Sequence, residues 1–384
     1  MSSAPRPLPA AVQAELEWEL VRHKLDAMLE AGLAKLAREP RGAVTDLHLE
    51  LTHRCNLKCV MCEHWEVEHL DPGSVKREMD FAAIKKAVTE STLLKTVETV
   101  VITGGEPWLR HDFVDIAAWL SGAFPAAKIV ALTNFWNTGH MRLKLSELRA
   151  RGVKNLSLGS SLDGLRETHD RVRGQAGAFD GLARTVAALK AEFPEVPFGF
   201  TYTLLPQNAG ELYATWRFVT DELGSTLGAQ WAVQTDAVAP IVWSPDAKAE
   251  ALAQVRRITV ERARTKDAMG RLARADAPEH AELWGELLYW RWLEEYGRDP
   301  RRFAFFTRCG AGERHVMAGA EGELYFCPVN RAKTFGSLGD GIDAAWASAK
   351  AEAAREFVAS CRCDCWLRCV SAPAIERLLR LSRS

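Results

Sequence analysis

Three of the chain's nine cysteines stand close together as Cys55-Asn-Leu-Lys-Cys59-Val-Met-Cys62, a C-x3-C-x2-C spacing. A loop with that spacing can wrap three thiolates around three irons of one [4Fe-4S] cluster. The fourth iron then has no protein ligand, and an open coordination position marks a catalytic metal. A zinc site is the competing reading, because His53 and His64 flank the triad and could complete it. Structural zinc sites usually draw on two paired ligand sets, however, and no second pair is nearby. Four further cysteines crowd together at Cys361, Cys363, Cys365 and Cys369, with Cys309 and Cys327 ahead of them. Scattered core cysteines would not bunch in this way. The first residues show no secretory signal, so a disulfide framework is not expected and metal ligation is.

The elements that must position these groups follow from periodicity. Short β-branched runs at Val44–Leu51, Val97–Ile102, Lys128–Leu132, Asn155–Leu158, Phe198–Leu204 and Gln230–Gln234 read as strands. Between them, Phe81–Ser91, Phe113–Gly122, Leu143–Arg151, Phe179–Glu192 and Glu211–Leu223 read as helices. Strand-then-helix alternation predicts an α/β fold, a parallel sheet curved into a partial (β/α)6 barrel. Active sites of such sheets lie at the carboxyl ends of the strands. Cys55, Gly104–Pro107, Asn134 and the segment Ser160–Gly164 all fall just after successive strands.

Around that core the spacing predicts an N-terminal helix within residues 1–43, with apolar positions at Val12, Leu16, Leu20, Leu25, Met28, Leu29, Leu33 and Leu36. The barrel is expected over residues 44–240, a helical connector over 241–300 and a small C-terminal cluster-binding hairpin/helix domain over 301–384. In the connector, Trp284, Tyr289, Trp290 and Trp292 recur at helical spacing and read as core or domain interface rather than as a substrate cage. A hairpin is expected from His315–Ala318 and Leu324–Cys327 around the turn Glu321-Gly322.

Over 384 residues, 47% hydrophobic and 26% charged content are those of a soluble globular protein. A net charge of −1 offers no electrostatic attraction to nucleic acid or anionic membrane. No apolar run reaches the roughly 18–20 residues that span a bilayer, so no membrane partner is expected and the location reads as cytoplasmic.

Together these motifs resemble the radical SAM superfamily, over about Val44 to Cys369. Besides the triad, Gly104-Gly105-Glu106-Pro107 resembles the family's GGEP motif. The resemblance implies that strand-end backbone and the Glu106 carboxylate hold the amino group of S-adenosyl-L-methionine (SAM), the glycines allowing the ligand's close approach. Thr133-Asn134 resembles the third-strand end that lies near SAM. Ser160-Ser161-Leu162-Asp163-Gly164 resembles the fourth-strand motif that contacts the ribose and carboxylate of SAM. His169-Asp170-Arg171-Val172-Arg173-Gly174 resembles a stretch common in members with auxiliary clusters; Arg173 could pair with the SAM carboxylate or sit on the surface. Asn208, after the fifth strand, is a further candidate. The implied cofactors are the [4Fe-4S] cluster and SAM, cleaved to a 5′-deoxyadenosyl radical that abstracts a substrate hydrogen.

Cys309, Gly322 and Cys327 read C-x12-G-x4-C, which resembles the opening of SPASM and Twitch domains with their auxiliary [4Fe-4S] clusters. Six cysteines in this region are one short of the usual SPASM pattern, and C-x-C-x-C replaces its C-x2-C pair. A Twitch-type domain with one auxiliary cluster is therefore favoured over two, its ligands being Cys309, Cys327 and two of Cys361, Cys363, Cys365 and Cys369. The remaining thiols could leave a second cluster with an iron open for substrate, supply a hydrogen donor at Cys361 or Cys363, or be spare. A zinc knuckle is the alternative for the whole group. By resemblance, oxidation of a secondary alcohol on a sugar or aminocyclitol is the favoured reaction, with a flavodoxin- or ferredoxin-type reductant as partner. A peptide maturase is the alternative; such enzymes frequently carry a longer recognition module than the 43 residues ahead of Val44. A non-catalytic iron–sulfur protein ranks last, since it leaves Gly104–Pro107 and Ser160–Gly164 without a purpose.

Overall fold

The computed structural model describes residues 43–235, 238–264, 281–300, 310–360 and 365–367, together with residues 19, 22, 23, 25–27 and 375. Six parallel strands form the core: β1 (Asp46–Glu50), β2 (Thr99–Thr103), β3 (Lys128–Leu132), β4 (Leu156–Ser161), β5 (Phe198–Leu204) and β6 (Thr226–Trp231). Between β1 and β2 lie α1 (His64–Leu70), α2 (Ser74–Arg77) and α3 (Phe81–Glu90); α4 (Phe113–Ala123) and α5 (Thr138–Ala150) follow β2 and β3. After β4 come α6 (Arg166–Arg173) and α7 (Ala178–Glu192), and after β5 comes α8 (Leu212–Arg217). This is the expected α/β sheet of a partial barrel.

Side-chain alternation gives the sheet two different faces. Leu47 and Leu49 of β1, Val100 and Ile102 of β2, and Ile129 and Ala131 of β3 are fully buried on the helix side. Their neighbours His48, Glu50, Thr99, Val101, Thr103 and Val130 line a cavity on the concave side. Each fully buried Leu, Ile or Val contributes roughly 1.5–3 kcal/mol, so the apolar face holds the sheet and leaves the other free for polar groups.

Two helices, α9 (Pro245–Arg264) and α10 (Ala281–Arg298), close the β6 edge. Tyr289, Trp290 and Trp292 are buried there, as expected of core residues; the Trp284 side chain lies outside the described residues. The Trp231 indole donates to the Leu293 carbonyl at 3.0 Å, and the Tyr289 hydroxyl donates to the Ala229 carbonyl. Of the N-terminal apolar stripe only Leu25 is described, and it is buried; the other seven positions lie outside the described residues.

The C-terminal hairpin is not detached from the barrel. β7 (His315–Ala318) pairs in parallel with β1, and β8 (Glu323–Tyr325) and β9 (Thr334–Ser337) add antiparallel to it, giving one sheet ordered β6-β5-β4-β3-β2-β1-β7-β8-β9. α11 (Ile342–Trp346) and α12 (Ala349–Ser360) complete this part. Arg77 clasps Glu321 with both Nε and Nη2, at 2.7 and 2.8 Å. Asp343 of α11 accepts from the backbone N–H of Thr92 and Leu93 and from the hydroxyls of Ser91 and Thr92, just past α3.

Several boundaries differ from expectation, those of β6, β4 and α5 among them. β6 starts four residues early, because its ladder with β5 runs from Gly199↔Thr226 to Leu204↔Trp231; Gly228 and Ala229 carry little strand propensity of their own. β4 continues to Ser161, so Ser160 and Ser161 are strand residues rather than part of the following loop. α5 starts at Thr138 because the Asn137 side chain caps it, accepting from His140 N–H at 3.0 Å.

Candidate active site

The loop carrying Cys55, Cys59 and Cys62 follows β1 and is held on two sides. On one side Gly105 N–H donates to the Thr52 carbonyl (2.7 Å) and Glu106 N–H to the Arg54 carbonyl (2.6 Å). On the other, Lys58 N–H donates to the Arg173 carbonyl (3.2 Å) and Val60 N–H to the Val172 carbonyl (3.0 Å), at the end of α6. Gly174 caps α6 with φ 63°, and a side chain there would drive into the Lys58 carbonyl. A Cβ on Gly105 would likewise enter the Arg54 carbonyl. The expectation that the Gly-Gly pair admits a ligand is thereby sharpened: Gly104 and Gly105 line the cavity, but what needs their bare backbone is the cysteine loop packed against them.

Each triad sulfur faces an N–H donor. Leu57 N–H serves Cys55, His64 N–H serves Cys62, and Arg173 Nη1 lies 3.5 Å from Cys59 Sγ. Donors to sulfur stabilise thiolate and are the usual outer contacts of metal-bound cysteine. Burial pushes the Cys55 thiol up to about 12 and the Cys62 thiol up to about 11, so ligation must displace their protons. Among the described residues, no three His, Cys, Asp or Glu side chains converge on a single ion. His53 and His64 stack on each other, with ring centroids 6.2 Å apart.

Glu106 is buried beside the loop. Its Oε2 accepts from Asn134 N–H at 2.8 Å, its Oε1 accepts from Trp108 N–H at 3.4 Å, and the Thr133 hydroxyl also donates to it. Burial raises its carboxyl to about 7, against those donors. Asn134 reaches back to the loop, its Nδ2 donating to Asn56 Oδ1 at 2.7 Å. Ser160 and Ser161 line the cavity, and Ser160 Oγ is buried with no hydrogen-bond partner among the described residues, a polar atom placed to meet a ligand. Pro107 is buried in a short 3-10 turn behind the wall. Asp163 is fully buried and ion-paired to Arg173, whose side chain does line the cavity. Asn208 belongs to the frame: its Nδ2 donates to the carbonyls of Asp163 and Thr203, and its Oδ1 accepts from Leu205 N–H.

The cavity measures about 1280 Å³. The triad, Gly104–Glu106, Asn134, Ser160, Ser161 and Arg173 form one wall, and Tyr325, Pro328, Val329, Arg331 and Leu367 form another. That second wall comes from the C-terminal cysteine region. Cys327 Sγ accepts from Asn330 N–H at 3.3 Å and from Asn330 Nδ2 at 3.7 Å, contacts of the same kind as those at the triad sulfurs. Cys365 stands beside buried Trp366, which packs on Tyr289 and Tyr296 of α10. Cys309, Cys361, Cys363 and Cys369 lie outside the described residues.

One charged group escaped the sequence reading. Arg331 ion-pairs with Glu50 at the end of β1, lies 3.8 Å from Glu63, and has its Nη1 3.1 Å from His64 Nε2. Its guanidinium also sits 5.5 Å from the Tyr325 ring centre. This group bridges the two cysteine regions. Glu50 could have been found from its inward place in the β1 alternation, whereas nothing in the sequence around Arg331 signals its reach.

Residues 49–219 match the Radical SAM superfamily. An AdoMet-dependent heme synthase of Methanosarcina barkeri is 34% identical over 186 residues, 47% of this chain and 47% of the relative. A GTP 3',8-cyclase of Paenarthrobacter nicotinovorans is 36% identical over 137 residues, 36% of each chain. The chain thus spans less than half the length of these curated relatives. The fold extends further: native anSMEcpe with bound AdoMet and the Cp18Cys peptide superposes with a TM-score of 0.53 at 16% identity, over 83% of this chain and 84% of that one. No helix among the described residues is long and apolar enough to cross a membrane.

Proposed function

With a Radical SAM superfamily domain over residues 49–219 as premise, we propose that the chain is a radical SAM enzyme that abstracts a hydrogen from a polar small molecule and oxidises or otherwise tailors it. Cys55, Cys59 and Cys62 hold a [4Fe-4S] cluster; Gly104, Gly105, Glu106, Asn134, Ser160 and Ser161 line the place for SAM. When bound, that pair of cofactors supplies a 5′-deoxyadenosyl radical. The chain's own residues do the rest. The Glu106 carboxylate fixes an ammonium group, the strand-end backbone sets its depth, and the sheet shields the reacting atoms from water.

The single observation that carries the reading is the shared cavity. One chamber is bounded by the triad loop on one side and by the segment after Cys327 on the other. At about 1280 Å³ it exceeds the roughly 300–1,000 Å³ of a site for one drug-sized ligand, which supports SAM and a second molecule together. Cys327, with Cys309 and two of Cys361, Cys363, Cys365 and Cys369, then holds an auxiliary cluster beside the substrate. Such a cluster can accept the electron left when a carbon radical is oxidised, so loss of hydrogen from a secondary alcohol of a sugar or aminocyclitol fits the site. The polar lining from Thr99, Thr103, Ser161, Thr201 and Thr203 supports a hydroxylated substrate. A peptide is the second reading, favoured by the likeness along most of the chain to a structure that contains one. A flavodoxin- or ferredoxin-type protein is the proposed electron source.

The test is SAM cleavage. Reduced, iron-reconstituted protein is expected to release 5′-deoxyadenosine, and the Cys59→Ala variant to release none while losing about four irons per chain. Wild-type protein that holds iron yet leaves SAM intact, with or without candidate substrates, would sink the proposal.

A further inference from the structure

Arg173 was expected either to meet the SAM carboxylate or to lie on the surface, and its geometry points elsewhere. α6 delivers it to the cysteine loop, and its side chain is nearly buried, 11% exposed beside a wholly enclosed Asp163. One η nitrogen meets Asp163 Oδ2, while the other lies 3.5 Å from Cys59 Sγ. Asp163 is itself immobilised. Thr203 N–H donates to its Oδ1 at 2.6 Å, and Asn208 Nδ2 donates to its carbonyl at 3.0 Å. A planar guanidinium is suited to hold a carboxylate and a sulfur at fixed angles, which a lysine ammonium is not.

We infer that Arg173 is a positioning residue for the iron–sulfur cluster: oriented by Asp163, it presents a cation and an N–H donor to the Cys59 sulfur and thereby raises the cluster's reduction potential. The inference rests on the [4Fe-4S] reading above. Reduction adds one negative charge to the cluster, and a nearby fixed cation with a hydrogen bond to sulfur favours the reduced form. Asp163 offsets part of that charge but is held by the other η nitrogen, which leaves Nη1 to face the sulfur. The buried ladder from β5 through Asn208 and Asp163 to Arg173 exists, on this view, to keep that end in place.

The experiment is a redox titration of reconstituted protein without SAM, followed by electron paramagnetic resonance on the signal that Cys59→Ala abolishes. Arg173→Gln is expected to lower the midpoint potential by one decade in the reduction equilibrium, about 59 mV for one electron. Arg173→Lys keeps the charge but cannot span both partners, and a smaller fall is expected. SAM affinity is measured in parallel by calorimetry. An unchanged potential with weakened SAM binding in either variant would overturn the inference and give Arg173 to the SAM carboxylate. If Arg173→Gln fails to fold, as judged by its melting, Arg173→Lys carries the same comparison: a lowered potential supports the inference and a wild-type potential defeats it. A wild-type protein that binds no iron at Cys55–Cys62 would instead defeat the parent reading, and iron content distinguishes the two failures.

Discussion

Glu106 shows how burial and function oppose each other at one residue. A carboxyl raised to about 7 is partly protonated at neutral pH, yet only the carboxylate can make a charge-assisted bond to an ammonium. The native state therefore binds more protons than the unfolded chain between about 4.5 and 7, and this group lowers stability as pH rises through that window. Ligand binding runs the other way: SAM affinity is expected to be full above about 7 and to fall as pH drops through it. Glu106→Gln removes the titrating charge. It is expected to weaken SAM binding about 10- to 100-fold, the scale of one hydrogen bond to a charged group, and to flatten the pH profile. Calorimetric titration of wild type and variant between pH 6 and 8.5 checks both.

At the scale of elements, the cysteine loop is shaped by its neighbours rather than by its own sequence. The turn after β2 and the end of α6 grip it from opposite sides through backbone bonds. Gly105→Ala pushes a methyl group into the Arg54 carbonyl, and overpacking of this kind typically costs about 1–3 kcal/mol. A lower melting temperature together with poorer iron uptake is expected; normal iron content in a destabilised variant would mean that the loop tolerates the displacement. The second element-scale prediction concerns Asp343, which satisfies two backbone N–H groups and two hydroxyls past α3. Asp343→Ala is expected to cost about 1–2 kcal/mol, the range of a helix cap, and to loosen the C-terminal region first. Hydrogen exchange along β8, β9 and α11 would show that loosening, and protection equal to wild type would contradict it.

For the whole molecule, the decisive feature is a single sheet running from β6 through β1 into β7, β8 and β9. It places the segment after Cys327 across the same cavity as the triad, with Arg331 bridging to Glu50. Iron stoichiometry tests that arrangement. Reconstituted wild type is expected to hold roughly eight irons, at four per cubane, and Cys327→Ala roughly four, with the triad signal intact. About twelve irons in wild type would instead indicate two auxiliary clusters.

The sequence by itself determined the class of fold and pointed to the superfamily that residues 49–219 match. The C-x3-C-x2-C spacing, the Gly104–Pro107 turn and the strand–helix alternation are local patterns, and local patterns survive in a linear string. Four of the six barrel strands begin and end within two residues of where the sequence places them; β4 runs three residues further, and β6 is shifted because its span is dictated by pairing with β5 and not by Gly228 and Ala229. Tertiary structure alone decided the rest. The partners of Arg173, the role of Asn208 inside the frame and the union of Arg331 with Glu50 join residues far apart in the chain, and their meeting depends on sheet order. Long-range pairing of buried polar groups leaves no periodic trace along a sequence, so the triad could be read from the string while the groups packed around it could not.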